Sequence, residues 1–412
     1  MAIQLFLDPT AFRHLHVGPL SSFIAKYAVS LSEQGYAYTT AREHIRLIAK
    51  LSDWLDRRQL GAHQLNEQSS SQFLQYRRRR GQVPRSNLAI LQAFLKASRE
   101  AGLLPAITPE ITASEQQRIE NDFEHYLAQE RGLAPATLIN YLPTVQCFLC
   151  ERFGSGPLAL TELGPQDVSR FILRHARTVS PGRAQLMVTA LRSFLRFLLQ
   201  RGEIVTDLAA SVPTVAHWRL AHLPKYLVAA QVEQLLQSCD RNGPTGQRNY
   251  AILLLLARLG LRAGEVVAMS LDDLHWEAGE LTVRGKGARW DRLPIPQDVG
   301  EALATYLRQG RPRCVTRRVF VNTRAPLRGF SNSVAVCSIV RRALKRAALD
   351  PACKGAHVLR HSLATRMLRQ GASLVEIGEI LRHHLPNTTQ IYAKVDQATL
   401  SALAQPWPGG AQ

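Results

Sequence analysis

Residues 357–392 read HVLRHSLATRMLRQGASLVEIGEILRHHLPNTTQIY, and this stretch decides the fold. Its apolar spacing predicts one helix over about 357–370 and a second over 374–381. His357 and Arg360, three residues apart, then project from one helical face. The stretch closes on Thr388-Thr389-Gln390-Ile391-Tyr392, with His383 nine residues before the tyrosine. Upstream, in fixed order, stand Gly260-Leu-Arg262-Ala-Gly-Glu265 and Gly285-Lys286-Gly287. Glu280–Arg284 and 292–296 have short strand character on either side of the second group, which places Lys286 near a hairpin tip. Helices are expected at 230–239, 249–259, 265–271 and 333–348.

These residue types supply the parts of a phosphoryl transesterification without a metal. Arginine presents a planar fork of donors and stays protonated, so Arg262 and Arg360 suit a dianionic pentavalent transition state. Lysine is a point charge on a flexible stem whose pKa falls on desolvation, so Lys286 can neutralise charge and also protonate a departing alkoxide. Tyrosine, with a reference pKa of about 10, becomes a nucleophile where a base or nearby cations favour the phenolate. His357 and His383 are the candidates for that proton traffic. Singly, a tyrosine in a threonine-rich run or an arginine after leucine reads as structural; the order and spacing of all six point to DNA strand cleavage and rejoining.

On those residues the C-terminal half, from Pro224 to about Gln397, resembles the tyrosine recombinases of the phage integrase family. The resemblance implies catalytic roles for Arg262, Lys286, His357, Arg360, His383 and the nucleophile Tyr392, with Glu265 at the family's acidic supporting position. It further implies a 3′-phosphotyrosyl intermediate, a free 5′-hydroxyl, four protomers acting on two duplexes, and no metal or nucleotide cofactor. One departure stands out. Most relatives carry glycine before the second histidine, where this chain has Arg382; arginine can occupy an ordinary helical position that glycine does not require, so the departure bears on local backbone geometry more than on catalysis. A type IB topoisomerase shares the chemistry, and a catalytically idle DNA-binding regulator could share the scaffold; the tandem helical modules and the full catalytic set favour site-specific recombination.

Composition agrees. Lysine and arginine number 51 against 32 acidic residues, for a formal charge of +19 in 412 residues, the footprint of a nucleic-acid binder. Double-stranded DNA is the expected partner. Met1-Ala-Ile-Gln-Leu-Phe-Leu-Asp8 has no basic region before a long apolar run, so a cytoplasmic location is expected. The apolar run Ala251–Ala257 is broken by Arg258 and falls short of the ~20 residues that span a bilayer; it reads as a buried core helix. Six scattered cysteines include one close pair, Cys147 and Cys150, without the second pair of a zinc ribbon, and both read as reduced core thiols. His357 and His361 share a helical face, but Val358 stands where a zincin needs glutamate, and Arg360 would lie beside any ion. No metal site is expected.

The first half contains an internal repeat. Leu91, Phe94, Leu95 and Gly102 return as Leu191, Phe194, Leu195 and Gly202; Gly35, Ala37 and Thr40 return as Gly132, Ala134 and Thr137; Leu65 and Phe73 return as Leu163 and Phe171. The expected fold is therefore mainly α with a small β-hairpin or sheet: two helical, SAM-like DNA-binding modules, 1–108 and 111–212, then an α+β catalytic domain over 224–412. The second module occupies the place of the family's core-binding domain, and the first looks like a duplicate of it. Arg77, Arg78, Arg79 and Arg80 could track a phosphate backbone, or form a solvated helix end favoured by the helix dipole. Beyond the nucleophile, 393–404 reads as a helical tail that docks either on a neighbouring protomer, as the resemblance implies, or on its own domain.

Overall fold

Helical periodicity gathers the first half of the chain around two small cores. The computed structural model describes residues 18–81, 86–104, 114–154, 156–216, 224–285, 290–383 and 385–395. In the first module α1 (Ser21–Glu33), α2 (Tyr38–Asp56), α3 (Glu67–Arg79) and α4 (Ser86–Glu100) enclose Ile24, Tyr27, Ile48, Phe73 and Phe94. Asn66 starts α3 by accepting the Ser69 N–H at 2.9 Å, which satisfies one of the donors a helix start leaves open. In the second, α5 (Glu115–His125), α6 (Pro135–Phe153), α7 (Pro165–Ala176) and α8 (Pro181–Arg201) enclose Phe123, Val145, Phe171, Leu191 and Phe194. Proline opens α6, α7 and α8, where its missing N–H costs nothing.

The repeat extends into the packing. Phe94 meets Tyr27 edge-on at 5.0 Å between ring centroids, and its counterpart Phe194 meets Phe123 edge-on at 5.1 Å. Phe73 packs on Trp54, and Phe171 on Phe148, both edge-on. Truncating any one of these buried phenylalanines to alanine would cost roughly 3–5 kcal/mol. The cysteine reading needs correction, because Cys147 is only half-buried and Cys150 is exposed. The apolar stripe of α6 turns inward through Val145, Phe148 and Leu149, and Cys150 falls on its far side. All six cysteines are free thiols.

Residues 107–221 form one compact unit, and the first module shares the other with the C-terminal half. Within that second unit the Leu327 N–H donates to the Gln34 carbonyl at 2.9 Å.

The C-terminal half is built around α10 (Pro244–Arg258), whose residues Ala251–Ala257 are all buried. Pro244 supplies its first turn, so it starts five residues before the expected position. Around it lie α9 (Ala229–Gln237), the short α11 (Ala263–Ala268), α12 (Gln297–Thr305), α13 (Val334–Arg346) and α14 (His357–Arg369). Strands β1 (Leu274–His275), β2 (Glu280–Arg284) and β3 (Trp290–Pro294) form an antiparallel sheet in that order, with Arg284 opposite Trp290 at the last described pair. The third strand starts two residues earlier than its apolar pattern suggests, because pairing with Arg284 and Val283 recruits Trp290 and Asp291. A smaller core of Leu363, Ala364, Ile377, Leu381 and Tyr392 joins α14 to α15 (Leu374–Ile380), to α16 (Pro386–Thr389) and to a 3₁₀ turn at Gln390–Val395. Among the described residues no helix is long and apolar enough to cross a membrane.

Candidate active site

The site is assembled where the start of α11, the first turns of α14 and the end of α15 meet. Gly260 makes the approach possible. Its φ is +60°, and a Cβ there would lie 2.7 Å from Leu381 and 3.0 Å from Leu363, so both backbone and space demand glycine. Arg360, buried at the start of α14, uses the gap: its guanidinium donates to the Gly260 and Leu381 carbonyls, stitching the three segments together. Burial, and then the neighbouring charge of Arg262, pull its pKa down to about 10, still protonated at neutral pH.

Arg262 stands at the N-cap of α11, where Glu265 holds it from two sides. The carboxylate accepts the Arg262 backbone N–H at 2.8 Å and its Nη1 at 2.7 Å. Glu265 is buried, which would raise its pKa, but the charges of Arg382 and Arg262 and their hydrogen bonds prevail and hold it below the usual carboxylate range. The Arg262 side chain remains about one-third exposed, so its free donors can meet a ligand.

Tyr392 is buried against α14 and α15. Its hydroxyl lies 2.9 Å from His361 Nδ1, and the ring stacks parallel to His383 at 6.5 Å. Burial raises the phenol to about 12, against the lowering pull of Arg360 and Arg262. His361 is lowered to about 4 by burial, His357 and Arg360, and is therefore neutral at physiological pH, with a lone pair able to accept the phenolic proton. His383, lowered to about 4 by burial and then by Arg360 and Arg262, is positioned by Thr389 Oγ1 at 2.8 Å from its Nδ1. His357 is also lowered, chiefly by burial, and its ring lies 6.3 Å from that of His361.

Sequence reasoning named Arg262, Glu265, His357, Arg360, His383 and Tyr392, and the structure gathers all six. Lys286 lies outside the described residues, as does most of the expected tail helix; the paired strands β2 and β3 flank the segment that contains the lysine. In the sequence His361 stands out only beside His357, as a potential metal ligand. Its signal was its place one helical turn after His357, on the face that receives Tyr392. The reading of Arg382 is overturned. Its φ is +55°, left-handed backbone and not ordinary helix, and its buried guanidinium donates to Glu265 Oε2 at 3.0 Å.

The four arginines of the first module diverge. Arg77 folds back over Phe73 and Arg80 over Tyr76, with ring distances of 5.9 and 4.8 Å, while Arg78 and Arg79 point to solvent. Among the described residues one group could hold a metal ion, Cys147, Glu151 and His175 in the second module. There His175 Nε2 sits 2.5 Å from one Glu151 oxygen and Arg174 takes the other at 3.1 Å, so the carboxylate is already occupied.

Comparison with known proteins places the chain in a family. Residues 225–399 match the phage integrase family model, and residues 121–202 match the phage integrase N-terminal SAM-like domain. A putative integrase/recombinase, y4rA of Sinorhizobium fredii, is 43% identical over 396 residues, covering 96% of both chains. Tyrosine recombinase XerD of Lacticaseibacillus casei is 32% identical over 292 residues, 68% of this chain and 95% of its own. In fold the chain is similar to a XerH site-specific recombinase bound to its palindromic difH substrate, with TM-score 0.56 and 19% identity over 72% of this chain and 90% of that one. It is likewise similar to a lambda integrase dimer on a core site, with TM-score 0.53 and 19% identity over 71% and 98%. With its catalytic-domain match and a relative this similar over nearly its whole length, the chain belongs to the phage integrase family of tyrosine recombinases.

Proposed function

We propose that this tyrosine recombinase breaks and rejoins DNA with Tyr392 as nucleophile. The observation that carries the assignment is the 2.9 Å contact between Tyr392 Oη and the neutral His361 Nδ1, beside Arg360 and Arg262. His361 orients the Tyr392 hydroxyl and takes up its proton as the oxygen attacks the scissile phosphorus, with the charges of Arg360 and Arg262 favouring the developing phenolate. Arg262 and Arg360 brace the non-bridging oxygens, where fixed donors stabilise the charge that develops in the transition state. Lys286 protonates the leaving 5′-oxygen, so the phosphate passes to tyrosine as a 3′-phosphotyrosyl ester and a 5′-hydroxyl is released. His357 and His383 hold the proton network in place. The reverse attack, by a 5′-hydroxyl from a second duplex, completes strand exchange without metal or nucleotide.

Double-stranded DNA is the partner, a reading supported by solved neighbours whose structures contain it. Four protomers on two sites carry out the exchange, and the second module acts as the core-binding domain. Integration or transposition of a mobile element is the setting, a reading supported by the similarity over nearly the whole chain to a putative integrase/recombinase. The test is a plasmid carrying two copies of the DNA junction that flanks the gene. Deletion or inversion between the copies is expected. Relaxation of supercoiled plasmid without exchange would instead assign topoisomerase activity, and binding without either would assign a regulator.

A further inference from the structure

A second group of arginines stands apart from the candidate active site and has no counter-ions. Arg248, in the second turn of α10, is only 6% exposed, and its guanidinium meets neutral acceptors alone. Nε and Nη2 donate to Asn249 Oδ1 at 3.2 and 3.1 Å, and Nη1 donates to the Val321 carbonyl at 2.9 Å. Those bonds use three of the five N–H donors that a guanidinium carries. Among the described residues Arg248 forms no ion pair, although a buried charge is unfavourable unless it is paired.

Arg248 lines a cavity of about 390 Å³ built from three segments. Helix α10 supplies Arg248, the stretch from Val321 to Phe330 supplies Thr323 and Arg324, and α13 supplies Ser338 and Arg342. The stretch is held in shape by the pairing of Val321 with Gly329, by the Asn322 N–H donating to the Arg328 carbonyl at 2.9 Å, and by the Thr323 hydroxyl meeting that of Thr245 at 2.9 Å. The Arg248 guanidinium lies over the Phe330 ring at 5.1 Å. Arg342 Nε donates to the Ser338 carbonyl at 3.2 Å. Neither Arg342 nor Arg324 forms an ion pair among the described residues, and no acidic side chain lines the cavity. The first half of α13 forms one wall, where the helix dipole favours negative charge.

We propose that this cavity binds a phosphate group other than the scissile one. Three guanidinium groups without an acid suit a multiply charged oxyanion, whose oxygens can accept the paired N–H donors of an arginine fork; a single carboxylate would leave most of that charge unmatched. Between Arg248 and Arg258 runs about 15 Å of helix, and Arg262 follows beyond that end, so a phosphate held here is not the one at Tyr392. The group belongs either to the DNA backbone or to a free phosphate compound, which present the same oxygens.

The test is equilibrium dialysis of the full chain against labelled inorganic phosphate, in an Arg262→Ala background that weakens binding at the candidate active site. Phosphate should still bind. Arg342 is exposed, so Arg342→Glu should leave the melting temperature unchanged while weakening phosphate binding about tenfold or more, as expected for one lost charge-assisted hydrogen bond. Arg324→Ala should act in the same direction. Lys345→Glu makes the same change of charge on α13 but outside the cavity, and should weaken binding less than about twofold. A saturating DNA duplex then identifies the source. A backbone phosphate seated in the cavity should expel the label, whereas a site for a free compound should retain it. Absence of binding, equal losses from Arg342→Glu and Lys345→Glu, or displacement by acetate as readily as by phosphate would overturn the proposal.

Discussion

Replacing His361 tests the proton path and the local packing together. The Tyr392 hydroxyl is buried and contacts His361 Nδ1 at 2.9 Å. His361→Ala leaves that hydroxyl unpaired, a loss of about 1–3 kcal/mol, and opens space beside the small core of Leu363, Ile377 and Leu381. A loss near 2 kcal/mol corresponds to about 3 °C in the melting temperature of a unit of roughly 300 residues. His361→Gln offers a carbonyl acceptor in place of the imidazole nitrogen and should restore most of that stability. Cleavage should respond differently. An amide cannot take up the phenolic proton, so both variants should cleave about 10²- to 10⁴-fold more slowly, the usual range for a positioned base. Thermal melts of the full chain paired with single-turnover cleavage of a nicked duplex separate the two effects. Full cleavage by His361→Gln would refute the base assignment, and an unchanged melt for His361→Ala would refute the packing of Tyr392.

Acid should destabilise this half of the chain in a defined window. His361 and His383 are held near pKa 4 when folded, against about 6.5 in an unfolded chain, so the unfolded state binds more protons between these values and stability is complete above about pH 6.5 and lost as pH falls towards 4. Melting temperatures across that range check the sign, and a flat profile would contradict it. Replacing the solvent-facing Arg78 and Arg79 with alanine should lower the slope of log affinity against log salt by about 0.9 for each phosphate they neutralise; an unchanged slope would leave them as a solvated helix end. Lys286→Ala should slow cleavage about 10²- to 10⁴-fold and recover on a substrate with sulfur at the bridging 5′ position, because a thiolate leaves without a proton. Arg262→Ala and Arg360→Ala should gain no comparable rescue, and equal recovery of all three would move the proton donor elsewhere.

The helical architecture and most of the candidate site were legible because they rest on local signals. Buried helix α10 appears as an unbroken apolar run, and the duplicated modules repeat the residues that pack their cores. What escaped depends on tertiary contact. Arg382 follows an α15 pattern that gives no sign of left-handed backbone; that conformation arises because the chain must turn to place His383 beside Tyr392 while Arg360 binds the Leu381 carbonyl. His361 looked like a spare histidine until the tyrosine packed against it from 31 residues away. Cys150 was misjudged because a mostly apolar helix has an outer face, and only its neighbours say which face that is.

On this mechanism Tyr392 becomes covalently joined to DNA. A nicked duplex bearing the chain's own site, from which the 5′-hydroxyl fragment diffuses after cleavage, should trap the protein on the 3′-phosphate. Proteolysis and mass spectrometry should then place the phosphodiester on the peptide containing Tyr392, in the presence of EDTA as in its absence, with no adduct from Tyr392→Phe although that variant still binds. An adduct on another residue, an adduct that persists in the phenylalanine variant, or cleavage that requires added metal would contradict the account.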